Sequence, residues 1–178
     1  MSRTSNFVFI ACNIISWLIF VGLCIEAGGL LVNFIFSVYQ PGMVKNLYQK
    51  LDLSEMYARS KWAFFGMYSF ILVIAVLKAV LFYLVVMLVT KIDLSKPFSR
   101  FVTKQISLIS YYTLSIGVLS YIARQTSIDL QHHGFETADL NQFWGDSQAF
   151  ILMAAVIYII AVIFTKGIEI QNENELTV

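Results

Sequence analysis

Residues 62–90 are WAFFGMYSFILVIAVLKAVLFYLVVMLVT, a run of 29 residues in which Lys78 is the single charged side chain. A helix of about 20 apolar residues, rising about 1.5 Å per residue, crosses a hydrocarbon layer about 30 Å thick. Three further apolar runs lie at residues 7–38, 106–123 and 149–165. Because only helices and closed barrels satisfy their backbone in lipid, these runs predict an all-α, polytopic membrane protein with four transmembrane helices.

The composition supports the membrane class. Hydrophobic residues make up 58% of the chain and charged residues 13%, about half the charged share of soluble domains. The net charge of +1 provides no general attraction to polyanions, so we expect no direct nucleic-acid binding. Cys12 and Cys24 both lie in the first apolar run, too far apart on one helix to bridge, and are predicted to be unpaired.

The first apolar run is predicted to be a retained helix rather than a secretory signal. Its stretch from 7 to 25 is longer than a usual signal core, and no pair of small residues at cleavage spacing closes it. We predict one transmembrane domain over residues 1–178. Its predicted parts are helices at about 7–38, 62–90, 97–123 and 149–166, outer connections at 39–61 and 124–148, and a cytoplasmic tail at 167–178.

The distribution of lysine and arginine predicts the orientation, because cytoplasmic loops are enriched in these residues. Residues 91–104 hold four such cations, whereas residues 125–148 hold none and carry four carboxylates. We therefore predict that both termini are cytoplasmic. Aromatic residues typical of membrane interfaces stand at the four helix ends that this orientation places outside: Tyr39, Trp62, Tyr121 and Trp144.

The connection before the third transmembrane helix has the pattern of a helix start. Ser95 would cap the helix, and Pro97 would occupy its first turn, where a missing N–H costs nothing. Apolar residues then recur at helical spacing, which predicts an amphipathic inner turn lying at the lipid surface with its basic residues toward anionic headgroups. The alternative is an ordinary solvated loop.

The first apolar run is longer than one membrane crossing requires. Gly28 and Gly29 mark the place where we expect the helix to kink or to leave the membrane. In the outer connection that follows, Met43, Leu47 and Leu51 fall near one helical stripe and predict a short outer helix. The second outer connection is predicted to be less ordered.

A stripe of small residues runs along the third transmembrane helix, at spacings that place its members on one face. We predict that this stripe packs inward against the first or second transmembrane helix. The side of the fourth transmembrane helix that carries Ile151, Ile159 and Ile163 would then face lipid. A polar conduction path is the alternative interpretation of the stripe. Its members are Ser110, Thr113, Gly117 and Ser120.

Glu26 and Lys78 are the ionisable residues inside apolar runs, where an isolated charge is costly. Counted along their helices, the two residues differ in depth by about 8 Å, which two long side chains can span. They therefore form an intramembrane ion pair in one interpretation. In the other, Glu26 lies at the outer interface and Lys78 extends toward the headgroups.

No catalytic, nucleotide or metal motif stands out in the sequence, which lacks a glycine-rich phosphate loop and a Gly-x-Ser-x-Gly element. Asp129, His132, His133 and Glu136 would approach one another only in a helix, and Gly134 directly after the histidines argues against one. We predict that the protein is not an enzyme and binds no metal or cofactor.

Two segments carry a resemblance to a known family. Residues 93–100, DLSKPFSR, are similar to a Pro/Ala-Phe-Ser element that opens a third helix, and the tail 167–178 ends in the acidic ENELTV. In both, the chain resembles domain of unknown function 2975, a family of small bacterial membrane proteins. Glu26, Lys78 and residues 39–61 are features that we do not map onto the family pattern, and their meaning stays open.

The resemblance implies a bacterial cytoplasmic membrane location and no assigned activity. Members are often encoded beside a small helix-turn-helix regulator, which implies a cytoplasmic DNA-binding protein as a partner.

We therefore predict an interaction, accessory or regulatory protein of the lipid bilayer that docks a membrane or cytoplasmic protein through its inner turn and tail. A solvated acidic tail is the simpler interpretation of these segments. The alternative function is a small transporter or channel-like subunit that uses Glu26 and Lys78, and the oligomeric state is open. The predicted docking residues are Pro97, Phe98, Ser99, Glu173, Glu175, Leu176 and Val178.

Overall fold

A computed structural model of the chain describes residues 3–40, 42, 44, 47–48, 51–93 and 97–175. Four of its helices are long and apolar enough to cross a membrane, and no strand occurs in the part of the chain described. The predicted all-α class with four spans is confirmed, and the chain is a multi-pass membrane protein. The elements are α1 (Arg3–Tyr39), α2 (Ser54–Arg59), α3 (Lys61–Lys91), α4 (Arg100–His132), a 3₁₀ helix (Ala138–Phe143) and α5 (Ser147–Glu175).

The long helices pack in chain order as antiparallel neighbours. α1 packs on α3, α3 on α4, and α4 on α5, the last pair having the most extensive contact. α1 and α5 each have one main neighbour, so most of their apolar side chains are exposed. A row of apolar side chains exposed in this way faces lipid in a membrane. We call the side with the α3–α4 connection the Lys91 end, and the opposite side the Arg59 end.

α4 begins at Arg100, three residues later than the sequence predicts. Ser99 is its N-cap, and its Oγ accepts a hydrogen bond from Val102 N at 3.3 Å. Just before it, Ser99 N donates to Pro97 O at 3.1 Å, so residues 97–99 form a tight turn rather than the first turn of the helix. The predicted cap, Ser95, lies outside the described residues.

α1 is not interrupted at its paired glycines. It continues as one helix to Tyr39, and Gly29 instead provides room for an aromatic ring. A Cβ built on Gly29 would lie 2.7 Å from Cδ2 of Tyr48, closer than real Cβ contacts allow. One residue further, Leu30 O accepts a hydrogen bond from the Tyr68 hydroxyl at 3.1 Å. Tyr48 and Tyr68 therefore both contact α1 at these residues.

The Arg59 end carries a packed cap. The predicted short helix occurs as α2, later than expected, while Leu47 and Leu51 are buried and Met43 lies outside the described residues. Asp52 Oδ1 accepts hydrogen bonds from the backbone N and the hydroxyl of Ser54 at the start of α2. Further apolar side chains are buried in the same cluster: Val44, Leu53, Met56, Leu140, Phe143 and Trp144.

The connection at 124–148, which the sequence analysis predicted to lie outside and to be less ordered, is more regular than predicted. α4 continues to His132, nine residues past its predicted end at 123, and Gly134 then adopts φ 79°. Gly134 N donates to Gln131 O and Phe135 N donates to Leu130 O, which is the paired bonding of a Schellman cap. Because glycine alone enters this left-handed region without cost, the helix ends there.

Candidate functional site

The structure joins the two segments that the sequence proposed as docking elements. The Phe98 and Phe164 rings have their centroids 5.2 Å apart, which brings the 97–99 turn onto α5. A Cβ built on Gly167 would lie 2.5 Å from Cδ1 of Phe98, so the ring lies directly on the backbone of α5. Phe98 nevertheless remains 41% exposed. The turn and the last part of α5 therefore form one surface at the Lys91 end.

The predicted tail is a continuation of α5. The helix runs to Glu175, where the sequence predicted an end near 166. Lys166 Nζ lies 2.6 Å from Glu169 Oε2, an exposed pair one turn apart that contributes little stability but suits a helical conformation. Ile170 is 59% exposed beside these charges. Glu173 is exposed, the backbone of Glu175 is helical, and Leu176 and Val178 lie outside the described residues.

The stripe of small residues is buried, and two of its four residues contact α5. Ser110 Oγ donates a hydrogen bond to Ala154 O at 2.9 Å, across the α4–α5 interface. A Cβ built on Gly117 would lie 2.7 Å from Ile151 Cγ1 and 2.9 Å from Ile151 N. Thr113 and Ser120 are also buried.

α5, the fourth transmembrane helix, therefore covers Ser110 and Gly117, where the sequence analysis predicted the first or second transmembrane helix. Ile151, Ile159 and Ile163, predicted to face lipid, are all exposed, although Ile151 also contacts Gly117. Periodicity identifies which face of a helix carries small residues, but it contains no information on which neighbour covers that face.

Glu26 and Lys78 are both partly exposed. The structure contains no ion pair between them, and neither has a hydrogen bond to another described residue. Two contacts between α1 and α3, Asn13 Nδ2 to Thr90 Oγ1 at 3.2 Å and the Phe20 and Tyr83 rings at 5.8 Å, set the antiparallel register. That register places Glu26 opposite Leu77, so the charges lie at one depth and not about 8 Å apart. A transport role for them stays a prediction.

Arg59 is a residue that the sequence analysis did not single out. Its Nη1 donates to Gly134 O at 2.6 Å and its Nη2 donates to His133 O at 2.8 Å. The guanidinium carbon also lies 4.4 Å from the centroid of the Phe135 ring. A cation at a helix C-terminus satisfies carbonyls that the helix leaves without a partner. Arg59 therefore ties α2 to the end of α4.

The paired histidines lie at this same helix end. His132 is the last residue of α4, and His133 Nδ1 lies 2.8 Å from Asp129 O. Within the described ranges, no group of three or more His, Cys, Asp or Glu side chains is arranged to hold a metal ion. The helix that the sequence argued against does form, but it ends at the histidines.

A polar cavity of about 300 Å³ opens at the Arg59 end, between the start of α2 and residues 135–140. Three exposed carboxylates line it, those of Asp52, Glu136 and Asp139. One of these carboxylates, that of Asp52, already accepts two hydrogen bonds from Ser54 and therefore serves the turn at the start of α2.

Comparison with known proteins agrees with the resemblance of the two sequence segments. The family model described as "Protein of unknown function (DUF2975)" matches residues 47–178, so the chain belongs to that family. The matched region includes α2, α3, α4 and α5, whereas α1 lies before it. No curated protein and no solved structure matches the chain.

Proposed function

We propose that this member of the family is an interaction component of a bacterial cytoplasmic membrane that docks a partner protein at its Lys91 end. The docking surface consists of the 97–99 turn and the end of α5 from Phe164 onward. In this proposal the Lys91 end faces the cytoplasm, and the protein has no catalytic activity and no cofactor.

One observation carries the proposal: Phe98 lies on Gly167 and beside Phe164, so two segments distant in sequence share one surface. A partner can therefore contact both segments at once. An exposed aromatic ring next to an exposed Ile170 supplies the kind of apolar centre around which protein interfaces form.

Charge around this centre supports a protein partner with mixed charge. Lys91, Arg100 and Lys104 are exposed at the neighbouring helix ends, and Glu169 is exposed on α5. Such rim charges mainly select the partner and guide its approach, while the apolar centre contributes the affinity. By family analogy, the first candidate partner is the small helix-turn-helix regulator encoded beside members of the family.

In the experiment, tagged wild-type and variant proteins are purified from native membranes, and the amount of that regulator recovered with each is compared. Deletion of residues 168–178 and the substitution Phe98→Ala should leave membrane insertion intact and abolish or strongly reduce recovery of the regulator. Trp62→Ala is the matched control, because Trp62 is an aromatic residue that is 91% exposed at the opposite end. Equal recovery with the wild type and the deletion variant would contradict the proposal.

A further inference from the structure

A groove of about 390 Å³ lies between α4 and α5. Ser110 and Ala154 meet at its base, where Ser110 Oγ donates a hydrogen bond to Ala154 O at 2.9 Å. Tyr111 lines the groove from α4 and Tyr158 lines it from α5, and these side chains are 55% and 49% exposed. Sites for small molecules have such volumes and are mostly apolar, with a few polar groups that fix the ligand's orientation. The other lining residues are Leu114, Ile151 and Ala155.

Both tyrosines lie deep in the membrane. Tyr111 is 7 residues from Lys104 along α4, and Tyr158 is 8 residues from Lys166 along α5, which correspond to rises of about 10 and 12 Å. With the hydrocarbon boundary at these two lysines, both residues lie well inside a layer about 30 Å thick. Tyrosine in membrane proteins is typical of the interface, where its hydroxyl meets water and headgroups. The position of these two phenols therefore requires another explanation.

The two side chains lean toward each other along the groove. Counted from the Ser110–Ala154 contact, Tyr158 lies about one helical turn nearer the Lys91 end than Tyr111. Side chains on a helix tilt toward the N-terminus of that helix. Because α4 and α5 are antiparallel, Tyr111 tilts toward the Lys91 end and Tyr158 toward the Arg59 end. Two phenol groups therefore lie along one groove from opposite sides.

Neither phenol has a hydrogen bond to another of the residues that the structure describes. A hydroxyl left without a partner in an apolar environment is costly, so each of these donors needs an acceptor at its own depth. The carbonyl and phosphate oxygens of phospholipids lie in the interfacial and headgroup regions, and acyl tails carry no acceptor. The ligand that fits is therefore an apolar molecule whose acceptors enter the hydrocarbon.

We propose that the groove binds a prenylated quinone, a lipid-soluble molecule whose flat ring carries carbonyl oxygens on two opposite edges. The Tyr111 and Tyr158 hydroxyls donate to these two oxygens. The ring lies over Ser110, Ala154 and Ala155, whose short side chains let it approach the helices closely, and its apolar tail extends into the lipid. The quinone is bound as a ligand, with no chemical step, and this site is independent of the docking surface at the Lys91 end.

The test measures binding of decylubiquinone, a short-tailed probe, to the full chain in phospholipid nanodiscs. A probe concentration a hundredfold above its dissociation constant should raise the melting temperature by about 5–10 °C. Tyr111→Phe and Tyr158→Phe keep the rings and remove one hydroxyl each, so each should raise the dissociation constant about tenfold, and the double variant should raise it further. Tyr121→Phe is the matched control, because Tyr121 is a 47% exposed tyrosine of α4 outside the groove, and its affinity should equal that of wild type.

Two further measurements separate hydrogen bonding from simple filling of an apolar groove. Ala155→Leu fills the groove from an exposed position and should abolish binding without loss of helical structure. Decylbenzene, which has the same tail on a ring without carbonyls, should bind about tenfold more weakly or less. Equal binding of decylbenzene and decylubiquinone, or an unchanged affinity in the double tyrosine variant, would show that the groove holds an acyl chain only and would overturn the proposal. The absence of saturable binding by the wild type would overturn it as well.

Discussion

Replacing Gly117 tests the close contact between α4 and α5. A Cβ at this position would lie 2.7 Å from Ile151 Cγ1 and 2.9 Å from Ile151 N. The second of these atoms belongs to the backbone, so the contact is relieved only if α4 and α5 move apart. Separation would also stretch the Ser110–Ala154 hydrogen bond, now 2.9 Å. Overpacking of this kind costs about 1–3 kcal/mol for Gly117→Ala, and Gly117→Leu should cost more.

The assay is thermal unfolding of the purified protein in detergent, followed by helical circular dichroism. A loss of 1 kcal/mol lowers the melting temperature of a protein of this size by about 2–4 °C, so Gly117→Ala should melt roughly 5 °C lower than wild type. Gly28→Ala is the matched control, because nothing lies within 4 Å of a Cβ built there. That control should be neutral or stabilising by about 0.5–1 kcal/mol, since alanine is the better helix former.

Equal melting temperatures for Gly117→Ala and Gly28→Ala would refute the assigned close approach. If Gly117→Leu leaves the melting temperature unchanged but dissolves an oligomer, the stripe is an interface between copies and not between α4 and α5.

Other substitutions test the Arg59 end and the intramembrane charges. Arg59→Ala removes two hydrogen bonds to the end of α4 and should destabilise the protein by about 1–3 kcal/mol. Arg59→Lys should be intermediate, because a lysine cannot bind both carbonyls with a planar fork. Unfolding in detergent measures the stability of both variants, and equal stability of the wild type and the two variants would contradict the role of Arg59 in tying α2 to α4. Gly29→Ala should displace the Tyr48 ring and increase its quenching by a water-soluble agent, and an unchanged accessibility would show that the ring does not lie on α1. Lys78→Met should not alter ion flux in liposomes if the protein is an interaction component, whereas a lost flux would favour the transport alternative.

Much of this architecture can be predicted from local sequence signals. The four spans follow from the apolar runs, and the stripe on the third transmembrane helix marks a face that is indeed buried. The end of α4 was predictable in principle, because Gly134 stands where a left-handed cap forms. The polar residues between 124 and 132 were instead interpreted as a loop. Helix formation requires only backbone bonding, so a polar helix can extend beyond the membrane boundary.

Contacts between distant segments could not be predicted in the same way. Arg59 and Gly134 are 75 positions apart, and nothing near either residue indicates the other. The same holds for Phe98 on Gly167, which turns two separate motifs into one surface. Each contact depends on the length of the intervening helices and on their rotation about their axes. An error of a few residues in a predicted helix boundary is therefore enough to make the contact unpredictable.

The sequence by itself determined that this chain is a set of membrane-spanning helices, because hydrocarbon leaves the backbone no partner outside its own helix. It also determined which side chains cannot remain in lipid without cost, Glu26 and Lys78 among them. Only the tertiary structure decided that α5 covers Ser110 and Gly117 of the small-residue stripe, that Tyr48 lies on Gly29, and that Glu26 and Lys78 form no ion pair with each other. Lipid is as apolar as the helices themselves, so their pairing depends on close fit and a few hydrogen bonds between distant residues.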